Sequence, residues 1–422
     1  MISVEKALET ILAAVSKLER EEKPILECLD QVIDDDVFSG LDIPPHDNAA
    51  MDGYAVRSED LTGAAKERPV YLEVIGEVAA GRVSPQNVAE GKAIRIMTGA
   101  PMPAGANAVV RFEDTDEQEH KGEGKHSGKI GIFVTAWKGQ NIRYRGEDIP
   151  NGAMVLKKGT VLGPAEIGVL ASLGKSLATV IRRPIVSILS TGDELCKIEQ
   201  RLSPGKIYDS NSYAIAASVL RCGGIPKLLD IARDSIKPLK AQISDGADAD
   251  MLITSGGVSM GDYDIVKDVL SQMGQIDFWT VRMKPGKPLA FGQIKNQRGK
   301  AVREVPHLGL PGNPVSSMIT FEQFARPAIL KMMGKNDFAR PTIVATLDQS
   351  IKNTDGRRIF ARVHVTRDAE GWHASLTGPQ GSGILTSMSA ANGLAVVPED
   401  CPLVRAGEKI KVQLLEGGQC PD

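Results

Sequence analysis

The sequence predicts a multidomain α/β plus β protein, and three observations carry that expectation. Residues 184–330 alternate short apolar runs with helical spacing, the signature of a mainly parallel sheet covered on both faces in three layers. Residues 42–143 are instead short apolar runs cut by Gly, Pro and Asn, the texture of a small β-rich unit. After Gly334 the apolar residues fall at every second position, which fits a compact β-barrel or sandwich of about 85–90 residues.

In chain order, Val4, Leu8, Ile11, Leu12, Val15 and Leu18 fall on one helical stripe over residues 3–18, with Ser3 placed to cap. Val70–Val74, Ala93–Met97, Ala108–Phe112 and Ile130–Val134 read as strands of the β-rich unit, and 120–128 as a polar hairpin tip. Ile185–Leu189 is a buried strand by composition, and Asn211–Cys222 a helix stopped by Gly223-Gly224. Met251–Thr254 is a further strand, followed by a helix that uses Val266, Val269, Leu270 and Met273. Leu289–Ile294 and His307–Leu310 add strands before a helix that begins at Asn313. In the tail, Ile343/Ala345/Leu347, Ile359/Ala361/Val363/Val365 and Ile410/Val412/Leu414 alternate with polar residues.

Several function classes drop out on composition. The 50 Lys+Arg against 53 Asp+Glu leave no broad basic face for nucleic acid, and 4% aromatics leave few stacking platforms. The five cysteines are scattered without a C-x-x-C pair, so neither a zinc site nor a disulfide framework is expected. Mostly buried, reduced thiols, no signal peptide and no membrane-length apolar run point to a cytoplasmic protein.

Ligands of open α/β sheets bind beyond the carboxyl ends of the strands, so the loops there carry the functional expectations. STGDEL (190–195) puts Thr191 and Gly192, with N–H groups expected to be exposed, beside the carboxylates of Asp193 and Glu194. The two acids also suit an ordinary helix first turn. In YDSNS, Asp209 or Asn211 could cap the next helix. In SGGVSMGDYD (255–264), Gly256 and Gly257 can reach positive φ and form an anion-binding concavity, with Ser255 and Ser259 as hydroxyl donors and Asp262 and Asp264 beside them. Donors for phosphate oxygens next to carboxylates suit a phosphate site bridged by Mg²⁺, although a Gly-rich turn with acids would look the same. Neither a P-loop nor a Rossmann fingerprint is present. In RMKPGKP, Pro285 and Pro288 stiffen a loop that carries Lys284 and Lys287. In LPGNPVSS, Pro311 and Gly312 precede Asn313 at N-cap and Pro314 at N1, which would leave the Val315 and Ser316 N–H groups for an anion. In the β-rich unit, turn chemistry alone accounts for Asp52-Gly53, Thr98-Gly99 and the Glu147-Asp148 pair.

With those segments in view, the chain resembles the molybdopterin molybdenumtransferase family, the MoeA-like enzymes and the gephyrin E domain. The resemblance runs from about Ser3 to Pro402 through AAMDGYA, RIMTGAPMP, GQNIRYRGEDI, STGDEL, GKIYDSN, SGGVSMGDYD, MKPGKP, LPGNPVS and QGSGILTSM, in the family's order. It departs at His46, where an aromatic is common, and at Ala49, where many relatives have Ser.

The resemblance implies the last step of molybdenum cofactor biosynthesis: insertion of molybdate into adenylylated molybdopterin, with Mg²⁺ and release of AMP. It implies a linking and dimerisation domain (1–43 and 142–178), a β-rich inserted domain (44–141), an α/β molybdopterin-binding domain (179–332) and a C-terminal β-barrel (333–422). A homodimer would share its cleft between subunits, with a molybdopterin adenylyltransferase and molybdoenzyme maturation proteins as further partners.

Carried over by position, Gly256, Gly257 and Ser259 would cradle phosphates, and Glu194 and Asp264 would hold the metal. Asp209, Lys284 and Lys287 would act on the reacting groups, with Asp52, Thr98 and Asp148 from the facing side of the cleft. Thr191, Gly192, Asp193, Ser255, Pro311, Gly312, Asn313, Pro314 and Ser316 would contact substrate, with Arg357, Arg358 and Ser382 from the tail. Two rivals are a MogA-like adenylyltransferase, which needs neither β-rich unit nor tail, and a non-enzymatic scaffold.

Overall fold

A computed structural model describes residues 1–118, 128–233, 235–257, 265–298 and 301–415. Two units make up the chain: residues 1–23, 28–34 and 179 onward form one, and residues 24–27 and 35–178 the other. Helix α1 (Val4–Ala14) starts where Ser3 Oγ accepts the Lys6 N–H at 3.1 Å. It stops short of the expected 3–18 span, because Val15 is extended at φ −112° and ψ 141°. Val15 nevertheless stays buried in the same core as Val4, Ala7 and Ile11, so the apolar spacing outlasts the helical backbone.

The unit of residues 35–178 is built on strands β1 (Gly53–Val56), β2 (Val70–Val78), β3 (Lys92–Ile96), β4 (Ala108–Arg111) and β5 (Lys129–Ile132). Their order is β4-β1-β3-β2-β5, with only the β2–β3 joint parallel. β2 runs four residues beyond the expected Val74, after a register shift between Val74 and Gly76. Both faces are apolar: Tyr54, Val56 and Val110 lie in one cluster, Ala55, Ile94 and Val109 in another. That is the alternation expected of strands buried on two sides. Helix α2 (Pro164–Ser172) begins with Pro at its first turn. The hairpin tip expected at 120–128 lies outside the described residues, apart from Gly128.

In the other unit the α/β region comprises β6 (Ile185–Ser190), α3 (Ser210–Cys222), β7 (Ile225–Leu228), α4 (Ile236–Gly246), β8 (Met251–Ser255), α5 (Ile265–Met273), β9 (Gly274–Thr280), β10 (Pro288–Arg298), β11 (Ala301–Leu310), α6 (Pro314–Thr320) and α7 (Arg326–Met332). The sheet order is β7-β6-β8-β11-β10-β9; its first three joints are parallel and the last two antiparallel. The runs Leu289–Ile294 and His307–Leu310 are two arms of one long hairpin. β9 was not expected: no residue of GQIDFWT is fully buried, and the alternation fails after Phe278, too weak an apolar signal for a strand at the sheet's edge.

Three layers follow from strand parity. Val186, Ile188, Met251, Ile253, Leu308 and Leu310 pack with α1, α3, α6 and α7, whereas Leu189, Leu252 and Val305 pack with α4 and α5. α3 stops at Gly223, which takes the left-handed conformation at φ 91°.

The tail closes a barrel from β12 (Thr342–Leu347), β13 (Arg358–Asp368), β14 (Gly371–Leu376), β15 (Gly393–Val397) and β16 (Lys409–Leu414), with helix α8 (Leu385–Ser389) between β14 and β15. Pairing runs β13-β14-β12-β16-β15 and returns to β13. The inward residues of β13 are Ile359, Ala361, Val363 and Val365. On its other face, Phe360 joins the α/β core. No disulfide joins the described cysteines; Cys28 and Cys222 are buried, Cys196 and Cys401 half-buried. No described helix is long and apolar enough to cross a membrane.

Candidate functional site

The carboxyl ends of β6, β8 and β11 open on a cavity of about 1050 Å³. Its walls are Ser190–Gly192 and Glu194 after β6, Asp209–Asn211 at the start of α3, and Ser255–Gly257 after β8. The loop Pro311–Pro314 with Ser316 follows β11, and Lys284–Pro288 closes one side. Arg357 and Gln380–Gly383 come from the barrel of the same unit. Gly256, Glu194 and Lys284 therefore face one space.

The glycine turn has the geometry its sequence required: φ is 92° at Gly256 and 66° at Gly257. It is also tight, since a Cβ on Gly256 would lie 2.8 Å from Thr191 O. Asp209 is the helix cap, its Oδ1 accepting the Ser212 N–H at 3.0 Å and the Ser190 hydroxyl at 2.9 Å. Lys284 and Lys287 are exposed. Lys284 Nζ lies 3.6 Å from Asp355 Oδ2, which also takes the Arg357 guanidinium. That guanidinium, and Lys284 behind it, hold the Asp355 carboxyl below its ordinary range. The lining thus sets Lys284, Lys287 and Arg357 against the carboxylates of Glu194 and Asp209.

Several expected donors are spent within the protein. Thr191 N–H bonds Ser255 O at 3.0 Å and Gly192 N–H bonds Ala232 O at 3.2 Å, so neither is exposed for a ligand. Gly256 N–H bonds Leu310 O at 3.1 Å. At the start of α6, Val315 N–H goes to Ser382 O at 3.1 Å, joining helix to barrel instead of waiting for an anion. These corrections have one cause: buried strand ends and helix starts must satisfy their backbone groups, and neighbouring strands lie closer than any ligand.

Asp193 is outside the lining, and its carbonyl accepts Lys206 Nζ. Arg358 is also outside, engaged with Glu5 and Glu399. Ser259, Asp262 and Asp264 lie outside the described residues. Among the described residues no group of three His, Cys, Asp or Glu could hold a metal ion. Asp52, Thr98 and Asp148 belong to the other unit. There Asp52 Oδ1 accepts the Thr98 N–H at 2.7 Å and its hydroxyl at 2.8 Å, and these bonds lower the Asp52 pKa. Asp148 is exposed.

Asn211 and Gln380 are lining residues that the sequence did not single out for ligand contact. Asn211 Nδ2 donates to Ser255 Oγ at 2.8 Å and to Gly312 O at 2.7 Å, pinning three loops together. The signal was in YDSNS: two cap candidates stand at the start of one helix, and only Asp209 caps it.

Comparison with known proteins extends this picture to the whole chain. Residues 2–174 match the MoeA N-terminal region (domain I and II), 187–331 a probable molybdopterin binding domain, and 344–415 the MoeA C-terminal region (domain IV). The chain is 38% identical over 396 residues to molybdopterin molybdenumtransferase 2 of Mycobacterium tuberculosis, covering 92% of this chain and 93% of that one. It is 38% identical over 381 residues to the molybdopterin molybdenumtransferase of a Nostoc species, covering 89% and 84%. The crystal structure of the molybdopterin biosynthesis MoeA protein from Pyrococcus horikoshii OT3 superposes with a TM-score of 0.80 at 30% identity, covering 98% and 100%. Agreement of this extent, across all three regions, means that the chain belongs to the molybdopterin molybdenumtransferase (MoeA) family.

Proposed function

We propose that this chain inserts molybdate into adenylylated molybdopterin and releases AMP, the last step of molybdenum cofactor biosynthesis. The observation that carries the reading is the cavity itself: polar turns at the carboxyl edge of the sheet meet Lys284, Lys287 and Arg357 in one space of about 1050 Å³. Two anions must meet there, a tetrahedral dianion and a phosphate-bearing adenylate. Fixed cations and backbone dipoles lower their mutual repulsion, and they stabilise charge on the departing phosphate. In this reading Lys284, Lys287 and Arg357 hold the oxyanion, and Gly257 with Ser255 and Asn211 orient the phosphate end. No covalent enzyme nucleophile is needed. The Pro311–Pro314 turn closes one wall of the cavity.

Magnesium fits this residue set. Mg²⁺ binds through one or two carboxylates plus substrate phosphate oxygens and keeps several waters, so it needs no cluster of three acids. Glu194 lines the cavity and would be its ligand, with Asp264, outside the described residues, as the second. When bound, the ion would supply positive charge that offsets the repulsion of the two anions. The same reading carries a cytoplasmic homodimer with a shared cleft, to which Asp52, Thr98 and Asp148 contribute, and the four domains whose boundaries the sequence suggests.

The test is AMP release, followed chromatographically, from adenylylated molybdopterin with molybdate and Mg²⁺. Formation of adenylate from molybdopterin and ATP would instead favour the adenylyltransferase. Asp264→Ala should abolish the Mg²⁺-dependent release while preserving the oligomer, and normal turnover in that variant would refute the metal assignment.

A further inference from the structure

We propose that Arg362, which does not line the cavity, is a positioning residue that turns three successive backbone N–H groups into the cavity wall as oxyanion donors. Arg362 lies on β13 at 1% exposure and heads the fully buried side chains by size. No carboxylate pairs with it among the described residues. Its guanidinium is satisfied almost entirely by one stretch of backbone. Nη2 donates to Pro379 O and Gly381 O, both at 3.0 Å, Nη1 to Gln380 O at 3.1 Å, and Nε to Ser387 Oγ at 3.0 Å. Gln380 fixes the register from the other side: its Oε1 accepts the Arg362 N–H at 2.8 Å, and its Nε2 donates to Arg362 O at 3.2 Å.

A trans peptide points its C=O and N–H in opposite directions. Three consecutive carbonyls drawn to one guanidinium therefore turn the N–H groups of Gln380, Gly381 and Ser382 away from it, and those three residues line the cavity. None of these N–H groups donates to a described acceptor. Successive N–H groups of this kind form an anion-binding concavity, and the cation behind them polarises each peptide toward stronger donation. The ligand class is a tetrahedral oxyanion. Its identity as molybdate rests on the function proposed above.

The test is calorimetric titration of molybdate into the full chain, with KM measured separately for molybdate and for the adenylate. Arg362→Met should weaken molybdate binding and raise its KM by about tenfold or more, the loss expected for hydrogen bonds to a charged group. The adenylate KM should stay within about twofold. Arg362→Lys, which keeps the charge without the planar fork, should recover part of the loss. Ser387→Ala removes one anchor outside the cavity and should give a smaller loss of the same sign, with a lowered Tm because the buried Arg362 Nε loses its acceptor. It decides the matter if Arg362→Met does not fold. Unchanged molybdate affinity in a folded variant, or equal rises in both KM values, would overturn the proposal. A wild-type chain that binds molybdate without releasing AMP would sink the reaction and leave the donors standing. One that binds no molybdate would sink both.

Discussion

Replacing Gly256 with alanine asks the turn after β8 to do two things its geometry forbids. The residue sits at φ 92°, where a side chain costs about 1–2 kcal/mol. The new methyl would lie 2.8 Å from Thr191 O and 3.0 Å from Thr191 Oγ1, and overpacking of that kind costs about 1–3 kcal/mol. The expected loss is the total, roughly 2–5 kcal/mol. Two companions separate the contributions. Gly205→Ala, at φ 78° with nothing within 4 Å, carries the backbone cost alone. Gly312→Ala, whose Cβ would meet only Gly256 Cα at 3.7 Å, carries neither and should be tolerated within about 1 kcal/mol. Urea denaturation read by circular dichroism ranks the three, and AMP release shows whether pushing Thr191 away from Gly256 spoils the cavity. If Gly256→Ala is no less stable than Gly205→Ala, the tight apposition of the β6 and β8 loops is not what holds this turn.

Other outcomes follow from the same geometry. Asn211→Ala frees Ser255 Oγ and Gly312 O, so the KM for the adenylate should rise about tenfold while the urea midpoint moves little; an unchanged KM would show that the three loops hold without it. Lys284→Ala should weaken molybdate use more than adenylate binding, and equal weakening in steady-state assays would count against its place at the oxyanion. His307 is fully buried against Thr254, and burial pushes its imidazole down to about 3. The unfolded imidazole titrates near 6.5, so between these values the unfolded chain holds the extra proton and stability falls as pH falls, by up to about 1.4 kcal/mol per unit. His307→Gln should flatten the urea midpoint between pH 6.5 and 4.5 relative to wild type; an equally steep decline would mean that other groups govern it.

How far the sequence spoke depended on how far each signal is local. The runs Ile185–Leu189 and Met251–Thr254 are apolar enough to read as buried strands, and the loops after them can be located without knowing what they touch. Backbone bonding between loops is not local. Nothing in STGDEL reveals that Ser255 O and Ala232 O will take the N–H groups of Thr191 and Gly192. β9 escaped because an edge strand needs only half an apolar face. Arg362 escaped for the opposite reason. In a period-two strand its parity reads as solvent-facing, but β13 has a second buried side because Phe360 and its neighbours lean on the α/β core. Asn211 was visible as a residue and invisible as a bridge, since both of its partners lie far away in the chain.

The seating of α1 bears on how the chain reaches its fold during synthesis. Lys331 Nζ reaches back to Leu12 O, a partner 319 positions earlier, and Val4, Ala7 and Ile11 share their core with Phe324 and Ile329. At about 5–20 residues per second, a ribosome needs roughly a quarter of a minute to a minute to deliver the second half of that contact. Throughout that interval the apolar stripe of Val4, Ala7 and Ile11 lacks the Phe324 and Ile329 side of its core. An 11-residue segment is marginal as an isolated helix, so α1 gains its helical backbone only when that late-arriving surface is in place.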